Sequence, residues 1–204
     1  MAELVLDLWG DVRDPWSHVA KRRVEAAVSA STHPMDVVVL HHVLAGPPVS
    51  DATLEEASIA GRPDGIDVTV TSPPEADPAD AHRLVALALE LGGPPLQAAM
   101  LERLYAAVFT EAVDVADPRV LQPLAAEAGL DERRVAAVLA SSDHAADLVS
   151  DETAARSLGI ETTPHLVVDH RVGLGGPASV EDYLALIDRA LEDAELPSGG
   201  ASAE

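Results

Sequence analysis

The chain has 204 residues and 48% of them are hydrophobic, which is enough for one domain with a sizeable core or for a domain that carries a large insertion. With 13 Lys and Arg against 35 Asp and Glu, the formal net charge is −22, and this charge opposes binding to nucleic acid or to an anionic membrane surface. Cysteine is absent, which excludes disulfides, thiolate metal ligands and thiol nucleophiles.

The first segment, residues 3–44, predicts a β-α-β unit. Residues 4–9 form a short, mainly apolar run that ends at a Gly-Asp pair, as a buried strand does. Asp14 then supplies a helix N-cap and Pro15 a first-turn proline, and an apolar stripe at helical spacing follows. Residues 37–40 are β-branched and apolar enough for a strand that is covered on both faces, which favours a parallel strand pair.

The middle of the chain is mainly helical by pattern. Before residue 77 we expect a short amphipathic helix around residues 54–59 and a half-exposed strand at residues 66–70, where apolar and polar side chains alternate. Residues 78–158 then predict an all-helical block with periodic leucines and valines. Pro123 lies inside one of the predicted helices and is expected to shorten or kink it.

The end of the chain returns to strand and closes with a helix. Residues 165–169 predict a strand, residues 173–177 a turn, and residues 179–191 the final helix. Residues 196–204 have almost no apolar side chain to pack and are predicted to be a disordered tail. The predicted organisation is a β-α-β part at residues 1–77, a helical insertion at 78–158, a closing β-β-α part at 159–195 and the tail at 196–204.

Three segments resemble one known superfamily. Residues 9–17, which carry Asp-Pro-Trp-Ser at their end, resemble the active-site turn of the DsbA-like superfamily, in particular of its FrnE-type members, where a strand runs into Cys-Pro-Trp-Cys. Residues 80–84 resemble the Ala-His-Arg-Leu segment that opens the family's helical insertion, and residues 159–168 resemble its Gly-Val-x-Gly-Val-Pro-x-Phe stretch. The resemblance covers residues 4–194 and implies an α/β thioredoxin fold with an inserted all-helical domain.

The resemblance also implies where a site lies. In this superfamily the proline at the position of Pro164 is cis and faces the turn before the first helix. Thr163 and Pro164 are therefore expected to line a substrate-binding site together with Trp16. The alternative is that Pro164 simply starts a strand, as proline can.

The turn lacks the chemistry of its redox relatives. Asp14 and Ser17 stand where the resemblance places the two cysteines, and thiol-disulfide exchange requires a thiolate that attacks and a thiol that leaves. Dithiol-disulfide oxidoreductase activity is therefore excluded. The kappa-class glutathione transferases and the 2-hydroxychromene-2-carboxylate isomerases share the fold and carry Ser-Pro-Tyr-Ser-like turns, which residues 14–17 resemble except at the first position. A carboxylate there would repel a thiolate, which argues against glutathione activation.

Asp14 has two interpretations. Asp-Pro recurs at residues 77–78 and 117–118, each time where a helix is predicted to begin, so Asp14 could be a helix cap alone. It could instead be a catalytic or ligand-orienting group, because it lies where the superfamily does its chemistry. Trp16 could stack on a flat substrate or pack in the fold, and Ser17 could donate to a bound anion or help to cap the helix.

Three histidines are candidate proton carriers. His18 follows the turn on the first helix, His42 lies near the end of the second strand, and His165 follows the expected cis-proline. For each of them the alternative is a structural role. Together with Asp14 and Ser17 they form the predicted catalytic set.

Arg83, within the segment that opens the insertion, is expected to hold the helical lid or to bind a substrate carboxylate. No metal site is predicted, because His41 and His42 are adjacent and would point to opposite faces of a strand, and no cofactor is expected. A cytoplasmic location is expected, since no run of roughly 18 to 20 apolar residues and no secretory signal is seen.

The favoured function is that of a thiol-independent small-molecule isomerase that resembles the 2-hydroxychromene-2-carboxylate isomerases. It would act on a flat or conjugated substrate in the cleft between the thioredoxin core and the helical lid. One alternative is a non-catalytic descendant that binds a peptide or another ligand, as a chaperone does, and another is a kappa-class glutathione transferase. A homodimer is compatible with the sequence, whereas nucleic acid and membranes are not expected as partners.

Overall fold

The computed structural model describes residues 4–72 and 77–195, so the tail predicted at residues 196–204 lies outside the described residues. In chain order the elements are β1 (Leu4–Gly10), α1 (Pro15–Ala30), β2 (Val37–Val43), α2 (Asp51–Gly61), α3 (Ala79–Phe109), α4 (Pro118–Ala128), α5 (Glu132–Leu139), α6 (Ala145–Leu158), β3 (His165–Val168), β4 (Val172–Gly175) and α7 (Val180–Glu195). The predicted β-α-β opening, the short helix around residues 54–59 and the final helix are confirmed.

The four strands form one mixed sheet in the order β2-β1-β3-β4. β1 and β2 run parallel, with Leu4 beside Val37 and Gly10 beside Val43. β3 is antiparallel both to β1 and to β4. Because β1 and β2 end at the same edge of the sheet, the turn into α1 starts at that edge, next to the end of β2.

Helices cover both faces of the sheet. On one face Leu6 is buried in a cluster with Val24 of α1 and Ile187 of α7. On the other face Trp9 is buried with Ala155 of α6. Side chains of β1 alternate between these two faces, and both clusters are apolar, which is why the strand is apolar almost throughout.

The helices α3, α4 and α5 and the segment around α2 build a second core. Its fully buried members include Leu84, Leu104 and Phe109 of α3, Leu121 of α4 and Val135 of α5. The periodic leucines and valines of residues 78–158 are therefore the side chains that hold this helical unit together.

The helix α3 is bent and reaches the edge of the sheet. Gly93 has φ 68° and ψ −164°, outside the helical region, and it precedes Pro94 and Pro95. Beyond the bend, the Gln97 side chain pairs with the main chain of β2: its Nε2 donates to the His41 carbonyl at 2.8 Å, and its Oε1 accepts the His41 N–H at 3.0 Å. This amide pair joins the helical unit to the outer strand of the sheet.

By length and composition α3 could cross a membrane, and it is the one helix of that kind among the described residues. This differs from the expectation that no segment is long and apolar enough. Core helices pass the same test, and α3 places Leu84 and Leu104 fully inside the core. The finding is therefore weak evidence for a membrane span.

The strand predicted at residues 66–70 is wrong. Alternate side chains of this segment are buried, as the pattern indicates, but the segment joins no sheet. The N–H groups of Thr69 and Val70 both donate to the Phe109 carbonyl at the end of α3, at 2.9 and 3.1 Å. The alternation of apolar and polar side chains thus reflects half-burial of this segment against the end of a helix. It does not show which main-chain groups pair, so it could not distinguish this segment from a strand.

Two further predictions are wrong. Pro123 does not shorten its helix, because α4 continues through it to Ala128. Residues 173–177 are not the turn, since β4 occupies most of them. The reversal between β3 and β4 lies at Asp169 and His170, which have φ values of 49° and 56°. Aspartate and histidine adopt this left-handed conformation more readily than most residues do. Unlike glycine, however, they do not mark such a position in a sequence.

Candidate functional site

The turn between β1 and α1 contains the predicted helix cap. Asp14 has extended backbone angles, φ −92° and ψ 112°, and its Oδ1 accepts the N–H of Trp16 at 3.0 Å. Pro15 occupies the first helical position, where no N–H partner is needed. This cap uses one oxygen of the Asp14 carboxylate and leaves the other for contacts elsewhere.

The second oxygen of Asp14, Oδ2, accepts hydrogen bonds from two residues that are far apart in the sequence. Ser17 Oγ donates to Asp14 Oδ2 at 2.7 Å, and Thr163 Oγ1 donates to the same oxygen at 3.2 Å. The bond between Thr163 and Pro164 is cis, as the resemblance implied. The expected cis bond is therefore confirmed, and the residue that precedes the proline contacts the turn before the first helix.

The environment of Asp14 changes its acidity. Burial raises the pKa of the Asp14 carboxyl above its ordinary value, while the hydrogen bonds from Ser17, Trp16 and Thr163 act in the opposite direction. The charge of nearby Asp11 adds to the increase in pKa. A carboxyl with a raised pKa is closer to the range in which it can give or take a proton near neutral pH.

Asp11 is the second carboxylate of the turn, and its side chain is 2% exposed. Its Oδ2 accepts from Arg13 Nη2 at 3.1 Å and from the Gly46 N–H at 3.0 Å, and His82 Nε2 lies 3.4 Å from its Oδ1. Burial alone would raise the pKa of Asp11, but the hydrogen bonds and charges of His82 and Arg13 outweigh it and hold the pKa well below its ordinary value. Asp11 is therefore a permanent anion beside Asp14.

Sequence patterns did not point to this second carboxylate. Asp11 carries one weak signal, its position directly after the end of β1, where functional side chains often lie. His82 belongs to the segment that resembles the start of the insertion, but nothing in the sequence shows that it contacts Asp11. The contact depends on how the helical insertion packs against the core.

The side chains of Trp16 and Ser17 both make contacts within the protein. Trp16 is half-buried and packs against the core of the helical insertion, so only part of its ring remains for a ligand. Ser17 is buried, and its Oγ accepts the Asp11 N–H at 3.3 Å while it donates to Asp14. Both side chains therefore support the turn itself, whatever else they bind.

His18 does not face Asp14. Its ring is 5% exposed and stacks on Tyr105 of α3, with ring centroids 4.7 Å apart. Its Nε2 lies 3.9 Å from Glu102 Oε1, and neither ring nitrogen makes a hydrogen bond within the described residues. These contacts favour the structural alternative for His18.

His42 is held as a cation on the opposite face of the sheet. Its Nε2 lies 2.9 Å from Asp7 Oδ1, its Nδ1 lies 2.8 Å from Asp151 Oδ1 of α6, and its ring stacks on Trp9 at 4.5 Å. Burial alone would lower the pKa of His42, but these two carboxylates outweigh it and raise the pKa to about 9. With both nitrogens occupied by carboxylates, His42 fastens α6 to the sheet, which favours the structural alternative for this residue.

His165 lies beside the cis-proline in sequence but faces β4. A Cβ atom added to Gly173 would meet His165 Nε2 at 2.8 Å, so the imidazole ring covers this glycine. Burial lowers the pKa of His165. The structure brings together Asp14, Ser17, Thr163 and Pro164, but it does not bring His165 to them.

The guanidinium of Arg83 makes four hydrogen bonds within the insertion. Its guanidinium donates to the carbonyls of Val138, Ser141 and Asp143 and to Asp80 Oδ1. Of the two expected roles, this geometry supports the structural one, in which Arg83 holds the connection between α5 and α6. These bonds use four of the five N–H groups of the guanidinium, which leaves little of it for a substrate carboxylate.

Two spaces lie near the junction of core and insertion. Behind the turn is a small cavity of about 10 Å³, lined in part by Ser17, His82 and Tyr105. A groove of about 410 Å³ lies between β2, α3 and α6 and is lined in part by Val43 and Leu148. The first has room for about one water molecule, whereas the second is within the range of small-molecule pockets. In the described part of the chain, no group of three or more His, Asp or Glu is placed to hold a metal ion.

The sheet order, the helix that starts directly after β1 and the cis-proline before β3 define a thioredoxin fold with a helical insertion, here without a thiol in its turn. The sequence matches the DSBA-like thioredoxin domain family over residues 5–187, and the chain belongs to this family. A comparison with curated proteins returned no match.

Solved structures show the same fold. A probable DsbA oxidoreductase from Streptomyces coelicolor is 27% identical with a TM-score of 0.86, over 99% of this chain and 95% of that chain. A 2-hydroxychromene-2-carboxylate isomerase is 15% identical with a TM-score of 0.70, over 95% of this chain and 100% of that chain. The cytosolic disulfide reductase DsbM from Pseudomonas aeruginosa with GSH is 22% identical with a TM-score of 0.66, over 92% of this chain and 99% of that chain.

Proposed function

We propose that the protein is a thiol-independent isomerase of small conjugated molecules, in which the Asp14 carboxyl moves the proton. The observation that carries this proposal is the pair of carboxylates on one turn: Asp11 is kept ionised by Arg13 and His82, while burial makes Asp14 easier to protonate. Two neighbouring carboxyls whose pKa values are driven apart by their surroundings are a recurrent arrangement for acid-base catalysis.

The chemistry fits this pair without any further reagent. In a double-bond isomerisation, a base removes a proton from carbon at one end of the unsaturated system, and the same group returns a proton to the other end. Asp14 would hold the proton between the two steps. The Ser17 and Thr163 hydroxyls donate to its Oδ2, and they would stabilise the carboxylate before the proton is taken up.

The position of Asp14 gives the proposal further support. The carboxyl lies against the cis-proline, at the place where the relatives that carry Cys-Pro-Trp-Cys have their first cysteine. One structural neighbour is an isomerase by name, although at 15% identity it supports the fold alone. The carboxylate argues against the transferase alternative, because it would repel the thiolate of glutathione.

A second candidate function is the binding of a ligand without catalysis. It is favoured by the size of the cavity behind the turn, about 10 Å³, which holds no substrate. A ligand of Asp14 would therefore have to lie on the outer side of the turn, against Trp16 and Thr163. Such an open surface suits a binding protein at least as well as an enzyme that encloses its substrate.

Isomerisation of cyclohex-3-enone and its aryl-substituted analogues to the conjugated ketones tests the proposal, since the product is measured by ultraviolet absorbance. We expect turnover by the wild-type protein and a loss of about 100-fold in Asp14→Asn, which keeps a capping acceptor but removes the titrating group. Asp117→Asn, at the matching cap of α4, should keep full activity. Turnover that survives in Asp14→Asn would contradict the role of Asp14, and absence of turnover with the whole panel would favour the binding protein.

A further inference from the structure

Both groups that the sequence offered as holders of a substrate anion are occupied by the protein itself. Arg83 donates to three carbonyls and to Asp80, so little of its guanidinium is left for a ligand. At the N-terminus of α1, Asp14 already accepts the N–H of Trp16. A helix start whose own cap is a carboxylate repels a second negative charge.

Arg13 is the cation of the turn, and it is also engaged. Its Nη2 lies 3.1 Å from Asp11 Oδ2 and 3.4 Å from the Gly46 carbonyl. A ligand carboxylate that drew Arg13 away would deprive the buried Asp11 of a charge partner. Leaving a buried carboxylate with fewer partners is costly, so Arg13 serves Asp11 in preference to a ligand.

The other cations of α1 are bound to carboxylates as well. Lys21, the one lysine of the chain, lies 2.8 Å from Glu25 and 3.0 Å from Glu102. Arg22 lies 2.7 Å from Glu102. The loop at residues 159–164, on the far side of the site, contains one charged side chain, the exposed Glu161. The elements that frame Asp14 thus offer carboxylates, hydroxyls and part of an indole ring. Among their described residues, Arg13, Lys21 and Arg22 each lie against a carboxylate, and His82 lies beside Asp11.

We propose that this site takes a flat ligand that is cationic or uncharged and rejects ligands that carry a carboxylate. The inference rests on the proposed function only for the location of the site. It separates this protein from two structural neighbours, which are named with 2-hydroxychromene-2-carboxylate and with GSH, both of them carboxylate compounds. An aromatic amine fits the site best, because its ammonium group would lie by Asp14 and its ring by Trp16.

Three probes with one ring and different charge test the inference: tryptamine, 3-methylindole and indole-3-propionate. Binding is followed by amide NMR titration at Trp16 and Thr163, so no turnover is needed. We expect tryptamine to bind about tenfold more tightly than indole-3-propionate, with 3-methylindole between them. Asp14→Asn should remove most of this preference.

The control is Asp117→Asn, which changes the net charge equally but lies at another helix. If it removes the preference as strongly as Asp14→Asn does, the preference reports the overall charge of −22 and the inference fails. Tighter binding of indole-3-propionate, or no shift at Trp16 and Thr163 with any probe, also overturns it. A preference for tryptamine in a protein without isomerase activity would uphold the inference and reject the proposed function.

Discussion

Two helices of this protein begin with the same dipeptide and the same cap. At α1, Asp14 has φ −92° and ψ 112° and accepts the Trp16 N–H at 3.0 Å. At α4, Asp117 has φ −83° and ψ 115° and accepts the Arg119 N–H at 2.9 Å. Asp-Pro produces the same cap and the same hydrogen bond in these two places. At the third Asp-Pro, residues 77–78, α3 begins one residue later, at Ala79, and Pro78 holds the cap position.

The two carboxylates nevertheless differ in charge behaviour. Burial raises the pKa of Asp14, whereas the hydrogen bonds from Arg119 lower the pKa of Asp117, whose side chain is 27% exposed. The second oxygen of Asp14 meets Thr163 from the other end of the chain, while that of Asp117 meets Arg119 two residues away. A cap is thus a local property, but its acidity is set by what the rest of the fold brings to it.

The largest effect on stability is expected when the same comparison is made for two arginines that lie near helix starts. Arg83 is buried and Arg119 is exposed, and each contacts an aspartate of its own first turn. Arg83→Met would leave the carbonyls of Ser141 and Asp143 without this donor, so we expect a loss of about 3 kcal/mol in the free energy of unfolding. Urea denaturation measures it, and Arg119→Met is the matched control, for which no measurable change is expected. Equal effects of the two variants would contradict the distinction between buried and exposed sites.

A smaller effect on stability is expected at His42, where the buried charged group is a cation and not a carboxylate. Its pKa is raised to about 9, so its contribution to stability is complete below its ordinary value of 6.5 and is lost as the pH rises from there through 9. We expect the free energy of unfolding to fall by about 2 kcal/mol over this window in the wild-type protein and to stay nearly level in His42→Gln. His144→Gln is the control and should retain the fall. A parallel decline in both variants would show that the pH dependence has another origin.

The smallest effect concerns the two caps directly. The raised pKa of Asp14 means that its protonated form favours folding, so this contribution is complete below pH 3.8 and is lost as the pH rises past the folded-state pKa. For Asp117 the sign is opposite: its contribution is present above pH 3.8 and is lost as the pH falls. At neutral pH, Asp14→Asn should therefore stabilise the protein and Asp117→Asn should weaken it slightly, as thermal unfolding can measure. Changes of the same sign would mean that the two caps do not differ as described.

The sequence was informative wherever neighbouring residues determine the outcome. Residues 14–17 predicted the cap of α1, and the resemblance around Pro164 placed the cis bond opposite that turn. Residues 66–70 show where this approach fails, because alternation indicates half-burial in a strand and in an extended loop alike. The reversal at Asp169 was missed for a related reason: its left-handed backbone is not marked by glycine.

Most of the site depended on contacts that no local pattern contains. Arg83 was identified as a member of the insertion segment, but its carbonyl partners lie in a connection that folds back over it. The ion pair of Asp11 with His82 joins the end of a strand to the start of the insertion. For His42, the position on β2 was predicted, but the two carboxylates that keep its imidazole charged were not.

The pairing of Gln97 with His41 also has a consequence for self-association. β2 is an outer strand of the sheet, and an outer strand exposes main-chain groups to which another chain can add. The Gln97 amide occupies the N–H and the carbonyl of His41 on this strand, much as the next strand of a larger sheet would. The insertion thereby hinders the addition of another strand to β2 at His41, whereas β4 is the outer strand on the opposite side of the sheet.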